Sequence, residues 1–237
     1  MRNLGIKLFA DGADKASMVE MYKDPKISGF TTNPTLMRKS GVTDFEGFAR
    51  DVLKTITAKP ISFEVFSDEF TEMEQQARKI ATWGKNVYVK IPITNTKRES
   101  SVPLIQRLSK EGIKVNVTAM MTAGQVKEVL PALANGPAAY VSIFAGRVAD
   151  AGTDPLPIMK EAMEMLKKHP HVELIWASPR EIYNVVQAAD IGCHIITVTN
   201  DILKKLPTLG KDLSDFSLDT VKMFYDDAHA AGYKIVV

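Results

Sequence analysis

One lysine, Lys90, stands inside an apolar run typical of a β-strand, Val87-Tyr-Val-Lys-Ile. The residues directly after this lysine are Ile91, Pro92 and Ile93. A lone lysine in such a strand is more often a strand-end residue whose amine reaches water. Apolar neighbours on both sides of Lys90 leave no nearby exit to solvent, and a buried, unpaired ammonium is costly. A desolvated lysine is partly neutral and therefore nucleophilic, so this pattern predicts an amine that forms a Schiff base with a carbonyl.

Other polar side chains alternate with apolar ones in the neighbouring runs. In a barrel of parallel strands, alternate residues face either the helices or the lumen, so one parity can carry polar groups. Glu64 then points inward, either as a simple ion-pair partner of Lys90 or as part of a site. Convergence of Asp, Asn, Glu, Lys and Thr on one mouth favours a site. The same rule turns further residues inward: Asp11, Thr31, Asn33, Ser62, Tyr88, Asn116, Thr118, Ser142 and Phe144.

A third group of residues predicts an anion site. Ser178-Pro-Arg follows the seventh apolar run, where barrels commonly bind phosphate at the positive end of a helix. An ordinary capping box of Ser178 with Pro179 and Glu181 is the alternative. Arg180 can reach the same mouth as Arg147, which comes just after the sixth run, so we predict a phosphorylated substrate.

Eight short β-type runs must position these residues. Their strict alternation with amphipathic helices predicts an α/β fold, a closed (β/α)8 TIM barrel rather than an open doubly wound sheet. A capping box of Thr43 with Glu46 is predicted at one helix start. The runs lie near Ile6, Gly29, Ile61, Val87, Val115, Ala139, Glu173 and Ile195, and the helices over 15–24, 44–57, 69–82, 102–111, 123–133, 155–168 and 180–188.

Length and composition indicate one domain over residues 1–237, with an additional C-terminal helix over 218–231 that covers either a barrel face or a neighbouring subunit. The net charge of +2 and the absence of a basic stripe indicate no nucleic-acid or anionic-membrane partner. Without a signal peptide or spanning segment, we expect a cytoplasmic protein. Cys193 is expected to be a small buried hydrophobe, and the histidines lack the spacing of metal ligands.

Six short motifs then appear in order on successive strands: Asp11-Gly-Ala-Asp, Thr31-Thr-Asn-Pro, Ser-x-Glu64-Val, Val89-Lys-Ile-Pro, Asn116-x-Thr118 and Phe144-x-Gly-Arg147. Together they resemble the transaldolase family in its short-chain branch. The resemblance covers the barrel from the first strand through Ala177-Ser-Pro-Arg.

The resemblance implies a cofactor-free and metal-free barrel in which Lys90 forms the Schiff base and Asp11 is the acid and base at the C4 hydroxyl. It implies that Glu64 and Thr118 hold a catalytic water. The implied reaction, part of the pentose phosphate pathway, moves a dihydroxyacetone unit from a ketose phosphate to an aldose phosphate in a homo-oligomer whose other partners are small sugar phosphates. Implied substrate-binding residues are Thr31, Asn33, Asn116, Ser142, Phe144, Arg147, Ser178 and Arg180.

Two alternatives remain open at this level. The related fructose-6-phosphate aldolase branch releases dihydroxyacetone to water and typically carries glutamine in place of Glu64 and tyrosine in place of Phe144. A non-catalytic barrel that binds sugar phosphates would be expected to lose Lys90 or Asp11. Gly12, Pro179 and Thr199-Asn200 depart from the family pattern and put the substrate preference in question.

Overall fold

The computed structural model describes residues 4–236. Eight strands, each parallel to both of its neighbours, close into a barrel in chain order, with β8 paired to β1. The predicted TIM barrel is therefore confirmed. The strands are β1 (Lys7–Asp11), β2 (Ile27–Thr31), β3 (Ile61–Glu64), β4 (Val87–Pro92), β5 (Val115–Met120), β6 (Ala139–Ile143), β7 (Val172–Trp176) and β8 (Ile195–Val198).

All seven predicted barrel helices are present, with ends that differ by a few residues, and three short helices were not predicted: α2, α7 and α10. The predicted capping box at Thr43 is wrong. Asp44 is the cap, because its Oδ1 accepts the Gly47 N–H at 2.9 Å. The helices are α1 (Lys15–Lys23), α2 (Pro34–Lys39), α3 (Phe45–Leu53), α4 (Phe70–Ala81), α5 (Val102–Lys110), α6 (Ala123–Leu133), α7 (Ala145–Asp150), α8 (Pro155–Leu166), α9 (Tyr183–Asp190), α10 (Asn200–Leu203) and α11 (Leu213–Ala230).

The strand residues divide between two apolar cores, as the alternating pattern predicts. Val87, Val89 and Ile91 of β4 pack outward in the layer between the strands and the helices. A separate cluster fills the lumen with Phe9, Tyr88, Tyr140, Ile175, Ala177 and Ile195. Because these aromatic and aliphatic side chains fill the lumen, the polar side chains gather at the C-terminal ends of the strands.

A glycine on β2 makes room for this lumen packing. A Cβ on Gly29 would lie 2.5 Å from the ring of Phe9, which is far inside van der Waals contact. Any larger residue at this position would displace the Phe9 ring, and Phe9 is two residues before Asp11 on the same strand. Gly29 therefore helps to set the position of the end of β1.

The additional C-terminal helix is confirmed, but it begins five residues before the predicted start. Asp212 caps it, because Oδ1 of Asp212 accepts the N–H groups of Ser214 at 2.8 Å and Asp215 at 3.1 Å. No residue of α11 is buried. The prediction of a single domain includes residues 1–3 and 237, which lie outside the described residues, and it stays a prediction.

Two further sequence expectations can be compared with the described residues. Cys193 is buried, as expected, and burial raises the pKa of its thiol to about 12. Within residues 4–236, no helix has the length and hydropathy needed to cross a membrane.

Candidate active site

A cavity of about 450 Å³ opens at the C-terminal ends of the strands. Residues of all eight strands or of the loops that follow them line it, as in other barrels of this kind. Every predicted site residue except Asn116 lies on its wall. Strand parity predicted this surface for the strand residues, and the position after the sixth and seventh strands predicted it for Arg147, Ser178 and Arg180.

Lys90 forms the floor of this cavity and is only 5% exposed. Its Nζ lies 3.1 Å from Oε2 of Glu64 and donates a hydrogen bond of 3.1 Å to the carbonyl oxygen of Thr32. The Phe144 ring covers the amine at 5.9 Å from the ring centroid. The predicted burial of Lys90 is confirmed, and the ion pair with Glu64, raised above as an alternative, is also present.

Asp11 is the last residue of β1 and faces the same cavity. Its Oδ1 accepts a hydrogen bond of 2.8 Å from Oγ1 of Thr31. Burial raises the pKa of Asp11 and the Glu64 carboxylate adds to the rise, whereas Lys90 and the Thr31 hydrogen bond oppose it. The carboxyl group keeps its proton to higher pH than an exposed aspartate, which suits a group that both takes and gives a proton.

Asn116 differs from the other predicted site residues because it is fully buried beneath the cavity. Its Nδ2 donates to Oγ of Ser62 at 3.0 Å, and its Oδ1 accepts from Oγ of Ser142 at 2.7 Å. Both ends of the amide are therefore engaged by protein. Of this group, Ser142 is the member that reaches the cavity wall.

Thr118 and Asn33 present complementary hydrogen-bonding groups to the cavity. Thr118 is 1% exposed, and its Oγ1 has no hydrogen-bond partner among residues 4–236. Asn33 caps α2, because its Oδ1 accepts the Leu36 N–H at 2.9 Å. The Asn33 side chain therefore retains its NH₂ group for a ligand, while its oxygen is used by the helix.

The mouth of the cavity is basic. The Arg147 guanidinium lies 4.9 Å from the centroid of the Phe144 ring and forms no ion pair within residues 4–236. Arg180 instead donates from Nε to Oδ1 of Asp150 at 2.9 Å, and its Nη2 also binds this carboxylate. Of the two arginines, Arg147 has the charge that is not already paired.

The capping box predicted at Ser178 is wrong. Helix α9 begins at Tyr183, and Ser178 stands in the left-handed region with a φ of 61°. The Asn184 side chain binds the turn that precedes α9, since its Oδ1 accepts the N–H groups of Arg180 at 2.7 Å and Glu181 at 3.2 Å. Those two N–H groups are occupied, so the anion site depends more on side chains than on this helix end.

Gly146 allows the loop at Ser178 to lie against the start of α7. A Cβ on Gly146 would lie 1.6 Å from the carbonyl oxygen of Ser178, so only glycine allows the two backbones to meet. The contact joins the start of α7, which carries Arg147, to the loop that carries Arg180. Gly146 thereby lets the two segments that carry the arginines lie in contact.

Thr197 and Lys39 are polar cavity residues that the sequence analysis did not select. Thr197 on β8 lines the cavity and hydrogen-bonds to Thr31. The inward parity of Thr197, two residues after Ile195, was a usable signal. Lys39 lies on α2, and since that six-residue helix was not predicted, no pattern placed Lys39 at the mouth.

In the described part of the chain, no group of three histidine, cysteine, aspartate or glutamate side chains is placed to hold a metal ion. Lys90, Asp11 and Glu64 bring one amine and two carboxyl groups to a cavity with a cationic mouth, which suits an anionic substrate.

Comparisons with known proteins show to which family this chain is similar. The sequence pattern of the Transaldolase/Fructose-6-phosphate aldolase family matches residues 8–235. A protein of Thermoanaerobacter sp. (strain X514) named "Probable transaldolase" is 37% identical over 97% of this chain and 100% of its own length. "Probable transaldolase 2" of Listeria monocytogenes is 34% identical over 90% of this chain and 95% of its own length.

A solved structure shows the same fold at low sequence similarity. It is a dihydrodipicolinate synthase family protein from Coccidioides immitis, with a TM-score of 0.56 and 10% identity over 83% of this chain and 68% of that one. This likeness concerns the barrel alone. The match over nearly the whole sequence decides the family: this chain belongs to the transaldolase/fructose-6-phosphate aldolase family.

Proposed function

We propose that the protein is a transaldolase that transfers a dihydroxyacetone unit between sugar phosphates through a Schiff base on Lys90. The observation that carries this proposal is the buried Lys90 amine, in contact with Glu64 and on the same cavity wall as Asp11. We place the reaction in the cytoplasm, between sedoheptulose 7-phosphate with glyceraldehyde 3-phosphate and erythrose 4-phosphate with fructose 6-phosphate.

The first stage is formation of the Schiff base. Lys90 must lose a proton before it attacks C2 of the ketose, and Glu64 is the acceptor within reach at 3.1 Å. The amine then adds to the carbonyl, and the resulting carbinolamine loses water to give the iminium ion. The Thr118 hydroxyl, which has no partner among residues 4–236, supports a role with Glu64 in holding the water that carries these protons.

The second stage is cleavage and transfer. Asp11 takes the proton of the C4 hydroxyl, the C3–C4 bond breaks, and its electron pair passes to the iminium nitrogen to give an enamine. The aldose phosphate leaves with a new aldehyde at its former C4. When an acceptor aldehyde enters, the enamine carbon attacks it, Asp11 returns the proton, and hydrolysis frees Lys90. The raised pKa of Asp11 supports both directions of this proton transfer.

The cationic mouth suits the phosphate end of the substrate. Arg147 is the first candidate, because its guanidinium is free of a carboxylate, and Ser178 lies on the same wall. Arg180 reaches a phosphate only by sharing its donors with Asp150. At the other end, the Asn33 amide and the Ser142 hydroxyl lie on the cavity wall and can hold the dihydroxyacetone hydroxyls, and Asn116 supports Ser142 from below.

The choice of transferase over aldolase is favoured by two residues beside the amine. Glu64 provides a carboxylate at 3.1 Å from Lys90, and Phe144 provides an apolar ring over the same amine. Neither residue offers the neutral amide or phenol hydroxyl that the aldolase branch typically carries at these positions.

We expect fructose 6-phosphate to yield glyceraldehyde 3-phosphate at a substantial rate only when erythrose 4-phosphate is present. The enamine should persist until an aldehyde reaches it, because the apolar ring of Phe144 excludes water on that side. A coupled enzyme assay with and without the acceptor measures this dependence. Equal rates without the acceptor would identify an aldolase instead.

We also propose a homo-oligomer in which α11 packs on a second copy. Large apolar side chains of α11 are exposed: Leu213, Phe216, Leu218, Val221, Met223, Phe224 and Tyr225. A helix of this length that packs on nothing is marginal in water. The barrel has a matching groove of about 420 Å³ between α1 and α10, lined partly by Met21, Leu203 and Leu206. Helix α10, which follows β8, has only four residues and leaves this groove open.

Light scattering of the purified chain is expected to give a multiple of 26.2 kDa. Phe216→Glu combined with Phe224→Glu places two charges on one face of α11 and should lower that mass. Lys222→Glu, an exposed change on the same helix, is the control and should leave the mass unchanged. A monomeric wild-type protein would contradict the proposed assembly.

A further inference from the structure

Thr197 on β8 has no role in the mechanism described above, although it is 4% exposed and lines the cavity. Its Oγ1 lies 2.5 Å from Oγ1 of Thr31, which is itself 2.8 Å from Oδ1 of Asp11. The three side chains come from β8, β2 and β1, and β1 is paired with both of the other strands. Two hydroxyls therefore meet in the lumen beside the carboxylate.

The number of available protons fixes the direction of this chain. A threonine hydroxyl has one proton to donate and two lone pairs to accept with. When Thr31 donates its proton to ionised Asp11, it can only accept from Thr197. Thr197 Oγ1 has no second hydrogen bond to residues 4–236 in this structure. The reverse direction would leave the Thr197 proton without a protein acceptor, so the arrangement favours the carboxylate form of Asp11 over its acid form.

We propose that Thr197 is a positioning residue whose hydroxyl fixes the direction in which Thr31 donates and thereby holds Asp11 as an oriented carboxylate, ready for the C4 proton. This inference depends on the proposed function, in which Asp11 must be ionised to act as the base. Burial and Glu64 favour protonated Asp11, whereas the Lys90 charge and then the Thr31 hydrogen bond favour the ionised form. A hydroxyl that itself accepts a hydrogen bond is a stronger donor. Thr197 therefore strengthens the Thr31–Asp11 hydrogen bond, which favours ionised Asp11.

Other charged groups around Asp11 are unchanged by a substitution at Thr197. Lys90 of β4 and Glu64 of β3 act on it directly. The remaining charged groups lie on the walls of this cavity and of the smaller cavity on the other side of Asp11: Lys39, Arg147, Arg180, Asp14 and Asp201. A change in the titration of Asp11 after removal of the Thr197 hydroxyl can therefore be assigned to the chain of hydroxyls.

The test is the pH profile of kcat/KM for Thr197→Val, which keeps the shape of the side chain and removes the hydroxyl. The acid limb of this profile reports the free enzyme's essential base. We expect the limb to move to higher pH by about 0.5 to 1, with kcat/KM on that limb falling about threefold to tenfold. Thr197→Ser should restore the wild-type limb. In a Thr31→Val background, Thr197→Val should cause no further movement, because the link to Asp11 is already broken.

Borohydride trapping with fructose 6-phosphate accompanies these profiles and separates the two hypotheses. If the wild type and Thr197→Val both form the reduced adduct but share one acid limb, the positioning role is wrong and the proposed function stands. An equal loss of kcat/KM at every pH would indicate a packing role and also overturn the inference. A wild type without any adduct would reject the proposed function, and the inference with it.

Discussion

Lys90→Met is expected to lower kcat by about 10⁴-fold or more, because the imine that acts as electron sink needs the buried Lys90 amine, and Lys39, the other lysine on the cavity wall, is exposed and stays protonated in water. Lys90→Arg should be equally inactive. Arginine keeps a positive charge beside Glu64, but its guanidinium stays protonated and does not add to a ketone. The pair of variants separates nucleophilicity from charge. The steady-state rate of acceptor-dependent transfer is the measurement.

Mass spectrometry after borohydride reduction provides the second measurement for Lys90. The wild type should carry a reduced dihydroxyacetone adduct on the peptide that contains Lys90, and both variants should carry none. Lys114→Met is the control, because Lys114 donates to the Lys85 carbonyl oxygen and does not line the active-site cavity. Activity in Lys90→Arg close to that of the wild type would contradict the mechanism. Circular dichroism establishes that each variant is folded.

Asp11→Asn should lower kcat by about 10² to 10⁴-fold and also increase the stability of the protein at pH 7. Asparagine can still accept from Thr31, but it cannot take the C4 proton. The stability gain follows from the raised pKa of Asp11 in the folded protein. A carboxyl with a raised folded pKa binds its proton more tightly in the folded than in the unfolded chain. Above the unfolded pKa, its ionisation therefore favours unfolding, and asparagine removes this effect.

The stability gain of Asp11→Asn should depend on pH in a defined way. The difference in free energy of unfolding between Asp11→Asn and the wild type should be full above the folded pKa. It should shrink as the pH falls and disappear below the ordinary value of 3.8, where both states hold the proton. Urea unfolding at pH 7 and near pH 4 measures it.

Asp14→Asn is the matched control for Asp11→Asn. Asp14 is an exposed helix cap whose pKa is lowered by hydrogen bonds from Ser17, so its ionisation favours the folded state. Its replacement should give no stability gain at pH 7, although asparagine still caps the helix. If Asp11→Asn were less stable than the wild type at pH 7, burial would not dominate the titration of Asp11.

Several features of this protein follow from the sequence alone because they depend on local periodicity. Alternation of polar and apolar residues along a strand has a period of two, so parity assigns Lys90 and Glu64 to the lumen without knowledge of the neighbouring strands. Strict alternation of strands and helices predicts parallel pairing, and eight repeats predict closure. The burial of Lys90 follows in the same way, from the apolar residues on either side.

Only the tertiary structure decided how the side chains pair across the barrel. The chain from Thr197 through Thr31 to Asp11 exists because closure places β8 and β2 on either side of β1, and 166 residues separate the two threonines. Parity gives the direction of a side chain but not the register between strands, and hydrogen bonds depend on register within a few tenths of an ångström.

At the loop of Ser178 and at helix α11, too, the local sequence did not predict the tertiary contacts. Ser178 resembles a helix cap in the sequence, but α9 begins only at Tyr183, and Asn184 binds the N–H groups of the turn before it. The residues of α11 are those of an amphipathic helix, yet their apolar side chains lie exposed on one copy of the chain. Local sequence determined that a helix forms there. Only contacts between distant segments, or between copies, decide what it packs against, because burial depends on surfaces that the local sequence does not contain.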